Sequence, residues 1–181
     1  MTGGEVSNVN PTDLTKNFAN MLSLPTIATN VAVKVKLHKG LEFRNEDQSA
    51  LSQDKSLMAR ELGNVNEDTE ITFEYRLKPV KELIKMTDID LTQISAFPFQ
   101  AQISYTSLDG NKCIRVITSK QDISNDRSEV EKEADLEILG MNAIQQSSKM
   151  ARQGKVLEAQ VYAKAQNRRQ KTYVNNEAQQ Q

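Results

Sequence analysis

The chain has 181 residues, 38% hydrophobic and 26% charged, with a formal net charge of −1; that supports a core of ordinary size and gives no overall field to recruit nucleic acid or an anionic membrane. No apolar run approaches the roughly 20 residues that cross a bilayer, and the opening residues, "MTGGEVSNVNP", have neither the basic end nor the apolar stretch of a secretory signal. The single cysteine, Cys113, excludes an internal disulfide, and the proline of Asn10-Pro11-Thr12 blocks glycosylation there, so the reading is a cytoplasmic protein in a reducing compartment.

Residues 1–11 are small and polar and read as a flexible N-terminus. Residues 12–24 predict a short helix: Thr12 or Asp13 caps it, Leu14, Phe18, Met21 and Leu22 form its apolar stripe, and Pro25 stops it. The period then changes to two. Val31, Val33, Val35 and Leu37 face one way, Ala32, Lys34, Lys36 and His38 the other, and Gly40 permits the turn. "GLEF" continues as a second strand, "FRNEDQSALSQDKS" reads as a loop, and "LMARELGNV" as a weaker strand. "TEITFEYRLKP" is a strong one, with Ile71, Phe73, Tyr75 and Leu77 inward against Thr72, Glu74 and Arg76. Val80 to Phe97 reads as a short helix or an irregular connection, and Pro98 belongs at a strand start or edge. Phe99, Ala101, Ile103 and Tyr105 alternate with Gln100, Gln102, Ser104 and Thr106; Asp109-Gly110 supplies a hairpin turn, and "CIRVITS" returns. Residues 28–120 are thus expected to form an antiparallel β-sandwich.

Beyond this the period becomes helical. Asn125 or Asp126 caps a helix whose face runs through Val130, Ala134, Met141, Ile144 or Ala143, and Ala151, and Gly154 ends it. A second helix carries Leu157, Val161 and Ala165 at i, i+4, i+8. The expected fold class is mainly β with α: one short helix, the sandwich, then a helical hairpin over 126–173, with a disordered tail at 174–181. Six acids and two bases lie between Asp126 and Glu137, and five bases and one acid between Lys155 and Lys171. Acids near a helix start and bases near a helix end suit the macrodipole. Most of these charges read as solvated helix faces. The sharper reading makes Lys164, Arg168, Arg169 and Lys171 a docking patch for an acidic partner.

Chemistry finds little to work with. One His and one Cys on separate strands exclude a Cys/His zinc site, and Asp88-x-Asp90 lacks the rest of a calcium loop. Asn111-Lys112 begins like a guanine-reading motif, but the next residues are Cys113 and Ile114, where a carboxylate is needed. Gly154-Lys155 has no phosphate-cradling loop before it. No catalytic, cofactor-binding or metal residue is assigned, no cofactor is expected, and the chain is read as not an enzyme. The aromatic residues alternate inward with apolar ones, which is not a nucleic-acid stacking pattern.

The order of segments carries a resemblance. A short amphipathic helix leads into "LPTIATNVAVKVKLHKGLEF"; "ELGNVNEDTEITFEYRL", the hairpin and the helical "EKEADLEILGMNAIQQSSKMARQGKVLEAQ" follow. Over residues 12–170 this resembles the region downstream of a von Willebrand factor type A domain in the circularly permutated Ras protein group. It is more distantly similar to vesicle coat proteins with a trunk, β-sandwich and helical order. The resemblance implies that residues 12–24 are the last helix of an upstream type A domain, and that the chain is a downstream fragment or a reduced relative. The metal-site motif of type A domains and the motifs of the GTPases are absent, so no functional residue of either carries over. The function expected is a non-catalytic intracellular interaction or scaffold module of a type A domain protein. The alternatives are an accessory region of a Ras-like small-GTPase signalling protein and a coat-like trafficking component. The partner expected is a protein, with the upstream type A domain as one candidate, and no nucleic acid or membrane span.

Overall fold

A computed structural model describes residues 24–86, 95–124, 126, 130 and 134–178, with side chains as far as Thr172. The chain divides into two compact units: the strands up to Gln121 make one, and Ile71–Glu74 with the chain from Asp122 onward make the other. Residues 1–23, which hold the expected helix of 12–24 except Leu24, lie outside the described residues, as do Asp88 and Asp90.

In the first unit, β1 (Ala28–Leu37) and β3 (Leu57–Val65) join β5 (Ala96–Thr106) and β6 (Lys112–Asp122) in an antiparallel sheet of order β3-β1-β5-β6. The short strands β2 (Leu41–Arg44) and β4 (Glu74–Leu77) make a second sheet of two. The fold class read from the sequence therefore stands: antiparallel sheets followed by two long C-terminal helices. β1 shows why. Val31, Val33, Val35 and Leu37 are each at most 5% exposed, while Lys34 and Lys36 reach solvent. Val35 sits opposite Met58 across the ladder and Ala101 on its other side. Phe43, Met58 and Val35 are the largest fully buried side chains, and Leu41, Leu83 and Phe97 complete the core. Burial of this kind is worth about 1.5–3 kcal/mol per large apolar side chain.

The β5–β6 turn is a hairpin with three loop residues. Ser107 N–H donates to Asn111 O, Gly110 N–H donates to Ser107 O, and Gly110 takes φ 82°, the left-handed position that favours glycine. Pro98 lies in β5 before its first partner on β1, Phe99 opposite Leu37, so it interrupts no bond of that ladder. The segment after Pro79 forms one helical turn, α1 (Val80–Leu83), with Leu83 buried. His38 packs at 5.1 Å against the Phe97 ring and accepts Gly40 N–H at Nδ1.

One strand departs from its expected pattern. Only Glu74–Leu77 of "TEITFEYRLKP" is strand. Leu77 is 49% exposed, whereas Thr72 and Lys78 are buried. Lys78 Nζ reaches Asp54 at 4.0 Å. The Asp54 carboxylate accepts the hydroxyls of Ser52 and Ser56, both at 2.6 Å. These hydrogen bonds, Ser52 first, lower its pKa from 3.8 to about 2. A depressed carboxylate contributes stability above its unfolded pKa and loses it as pH falls through the folded one. Stability of the strand unit is therefore expected to fall between pH 3.8 and about 2, and Asp54→Asn to flatten that part of a urea-unfolding pH profile.

In the second unit, α2 (Leu136–Arg152) pairs with α3 (Val156–Ala178). Asp135 caps α2: its Oδ1 accepts Glu137 N–H at 2.9 Å and Ile138 N–H at 3.1 Å; of the caps read from the sequence, Asn125 lies outside the described residues. Glu137 in the first turn and Lys149 and Arg152 in the last complement the helix dipole. Asp135→Ala is expected to cost about 1 kcal/mol, read as a lower thermal midpoint. Gly154 (φ 81°) closes α2, with Lys155 N–H bonded to Met150 O and Gly154 N–H to Ala151 O, the glycine-terminated ending the sequence implied. Thr72 belongs to this unit. Its N–H and hydroxyl both donate to Gln145 Oε1 at 3.0 Å, and Asn142 Nδ2 donates to Thr72 Oγ1 at 3.0 Å.

Candidate functional site

Leu157, Val161 and Ala165, aligned on α3 as their spacing implied, do not make its packing face. Leu157 is 77% and Val161 69% exposed, and Ala165 is exposed as well. The sheltered positions are Ala159, Tyr162, Gln166 and Gln170, one helix face of small and polar groups. α2 meets it in kind. A Cβ placed on Gly140 would lie 3.4 Å from Gln170 Nε2, and Gln146 is the buried residue of α2. Gly140 and Ala159 are the small members of these faces and Tyr162 and the glutamines the large ones, while Leu157 and Val161 stay outside.

The uncovered residues form a pattern. Leu157, Val161, Lys164, Arg168 and Lys171 follow at steps of four, three, four and three, which is one continuous stripe on a helix. All five are exposed. Three of the four expected docking residues thus lie in line with two exposed aliphatic side chains, and Arg169, also exposed, stands beside them. The sequence placed the bases near a helix end. α3 runs on to Ala178, with no basic residue in its last turn, so Lys164 to Lys171 sit mid-helix and gain nothing from the dipole. The reason is local: after Gln170 no glycine or proline breaks the helix.

Other places offer less. A polar hollow of about 250 Å³ lies beside Phe43, Asn45, Gln48 and Lys55. Two of the charges that line it, Glu46 and Arg76, already form ion pairs, with Arg60 at 2.6 Å and Glu42 at 2.7 Å. Cys113 is half-buried, with Sγ 3.7 Å from Asn111 O, a packing position with no base beside it in this contact. Among the described residues no group of three or more His, Cys, Asp and Glu side chains is placed to hold a metal ion. Nor is any helix among them long and apolar enough to cross a membrane.

No protein-family model matches the chain. The chain is 31% identical over 166 residues to circularly permutated Ras protein 1 of Dictyostelium discoideum. The match takes in 91% of this chain and 18% of that protein, so the chain spans under a fifth of its relative's length. The similarity carries the Ras-like part of the expected resemblance. The relative's name says nothing of a type A domain or of vesicle coats. It also corrects one expectation. Ras proteins hydrolyse GTP, and a chain that aligns almost throughout with a protein named for Ras is not to be set apart from enzyme function.

Proposed function

We infer that the chain is a region of a Ras-like GTPase protein and serves its nucleotide cycle through protein contact. The observation that supports this is the similarity along 91% of the chain to a protein named for Ras. The surface suited to the task is the exposed stripe of α3. Leu157 and Val161 offer apolar area to desolvate, and Lys164, Arg168 and Lys171, with Arg169 beside them, select a surface bearing carboxylates. A cytoplasmic setting and a type A domain as neighbour belong to the same reading.

The test uses the Dictyostelium protein in three forms: intact, with its matching segment deleted, and with that segment replaced by this chain. GTP hydrolysis and nucleotide release are measured for each. The expected result is that deletion changes one of these rates and replacement restores it. Charge reversal of Lys164, Arg168 and Lys171 in the replacement should abolish the restoration. Rates unchanged by deletion overturn the reading. Restoration that survives the charge reversal overturns the assigned surface.

A further inference from the structure

The four-stranded sheet ends differently on its two sides. At β3 the edge is guarded. Leu51 bridges to Met58, Ser52 N–H donates to Leu57 O at 2.9 Å, and the β1–β3 register slips twice between Ala28 and Ala32. Cover and irregularity of this kind block pairing with other strands. β6 has neither. It is the outer strand, 11 residues long, without proline. Ile114 is 66%, Val116 51% and Ile117 42% exposed, although they lie on both faces of the strand.

The hydrogen bonds fix which residues of β6 face outward. Leu37 N–H donates to Ser56 O on the β3 side, so even residues of β1 bond towards β5. Lys34 and Lys36 stand opposite Gln102 and Gln100, which turns the odd residues of β5 towards β6. Ser107 N–H to Asn111 O closes the hairpin in the same parity, and Gln100 Nε2 reaches Thr118 Oγ1 at 3.2 Å, as that register requires. The odd residues of β6 therefore bond to β5. The even ones, from Lys112 to Asp122, aim their N–H and C=O groups away from the sheet.

Two copies of this edge can pair antiparallel only with even residues facing even. The register that uses the full strand centres on Ile117. It sets Lys112 of each copy opposite Asp122 of the other, Val116 opposite Thr118, and Ile117 opposite Ile117. A slide of one allowed step one way sets Lys112 against Lys120, like charge on like charge; a slide the other way shortens the ladder and loses the Lys112–Asp122 pairs. We propose that β6 pairs in this register with β6 of a second copy of the chain, about a twofold axis at Ile117, so that two four-stranded sheets become one. The pairing is independent of the Ras-like reading.

The test is made on the whole chain. Light scattering from about 1 to 100 μM is expected to show a monomer–dimer equilibrium. Val116→Pro removes an outward N–H and no bond to β5, so it should leave the circular dichroism intact and the chain monomeric. Val116→Lys should weaken the dimer roughly tenfold or more. In a Cys113→Ser background, Ile117→Cys should form a diamide-dependent, reducible intermolecular disulfide, because paired Cα atoms at the axis lie about 4.5 Å apart. Arg115→Cys in the same background should not. A monomer at every concentration overturns the proposal, whatever else binds β6. So does a dimer that Val116→Lys leaves intact, or one that cross-links through position 115 and not 117.

Discussion

Phe43→Ala is expected to lower the stability of the strand unit by about 3–5 kcal/mol, the largest effect of any single truncation here. Phe43 comes from a strand of four residues, yet it is 2% exposed. Its N–H donates to Lys55 O at 2.9 Å, which holds the backbone of β2 in place around it. Removing the ring forfeits its transfer from water and opens a cavity the sheet cannot close, because Met58 and Val35 are locked in ladder register and already fully buried. Domains of this size have about 5–15 kcal/mol in total, so a loss of that order takes a large share. Urea unfolding followed by circular dichroism should show the midpoint fall with little change of slope. Leu108→Ala, at a residue 70% exposed on the hairpin turn, is the control and should stay within about 0.5 kcal/mol of the wild type. A Phe43→Ala midpoint as close as that would refute the core described.

The core of the strand unit was legible because β1 obeys one rule: apolar residues at odd positions, and nothing else competing for them. The pattern failed where stability comes from a contact distant in sequence. Ile71, Phe73, Tyr75 and Leu77 look like an inward face, but Thr72 between them is the one that is buried, held by Gln145 and Asn142 some 70 residues on. A local period has no access to such a bond. Lys78 escaped for the same reason, since the carboxylate its ammonium reaches, Asp54, comes from another loop. At β6 the returning strand was legible and its exposure was not: nothing local to "CIRVITS" shows that Ile114, Val116 and Ile117 stay uncovered. The docking stripe was half legible. Its bases stood out as a charge run. Its aliphatic end did not, because a sequence shows that Leu157 and Val161 are apolar but not that Ala159, Tyr162 and Gln166 will be the sheltered ones.

Arg60→Met is the second large effect, expected at about 3 kcal/mol. Arg60 Nη2 donates to both carboxylate oxygens of Glu46 at 2.6 Å. The Glu46 side chain is 2% exposed and that of Arg60 24%. A methionine keeps the length and apolar stem of Arg60 and removes the cation, leaving a carboxylate with almost no water around it. The cost lies in taking this cation from a buried carboxylate, and this has a consequence that simple loss of packing lacks. Adding Glu46→Gln to Arg60→Met should recover part of the stability, since a neutral amide is cheaper to bury than a carboxylate. The two substitutions should thus be strongly non-additive in a double-mutant cycle. The Arg76–Glu42 pair sets the scale. Its bond is as short, at 2.7 Å, but Arg76 is 56% exposed and water screens it. Arg76→Met should therefore cost clearly less than Arg60→Met in the same urea titration. Equal costs, or additivity between Glu46→Gln and Arg60→Met, would mean that the Glu46 charge is not what Arg60 holds in place.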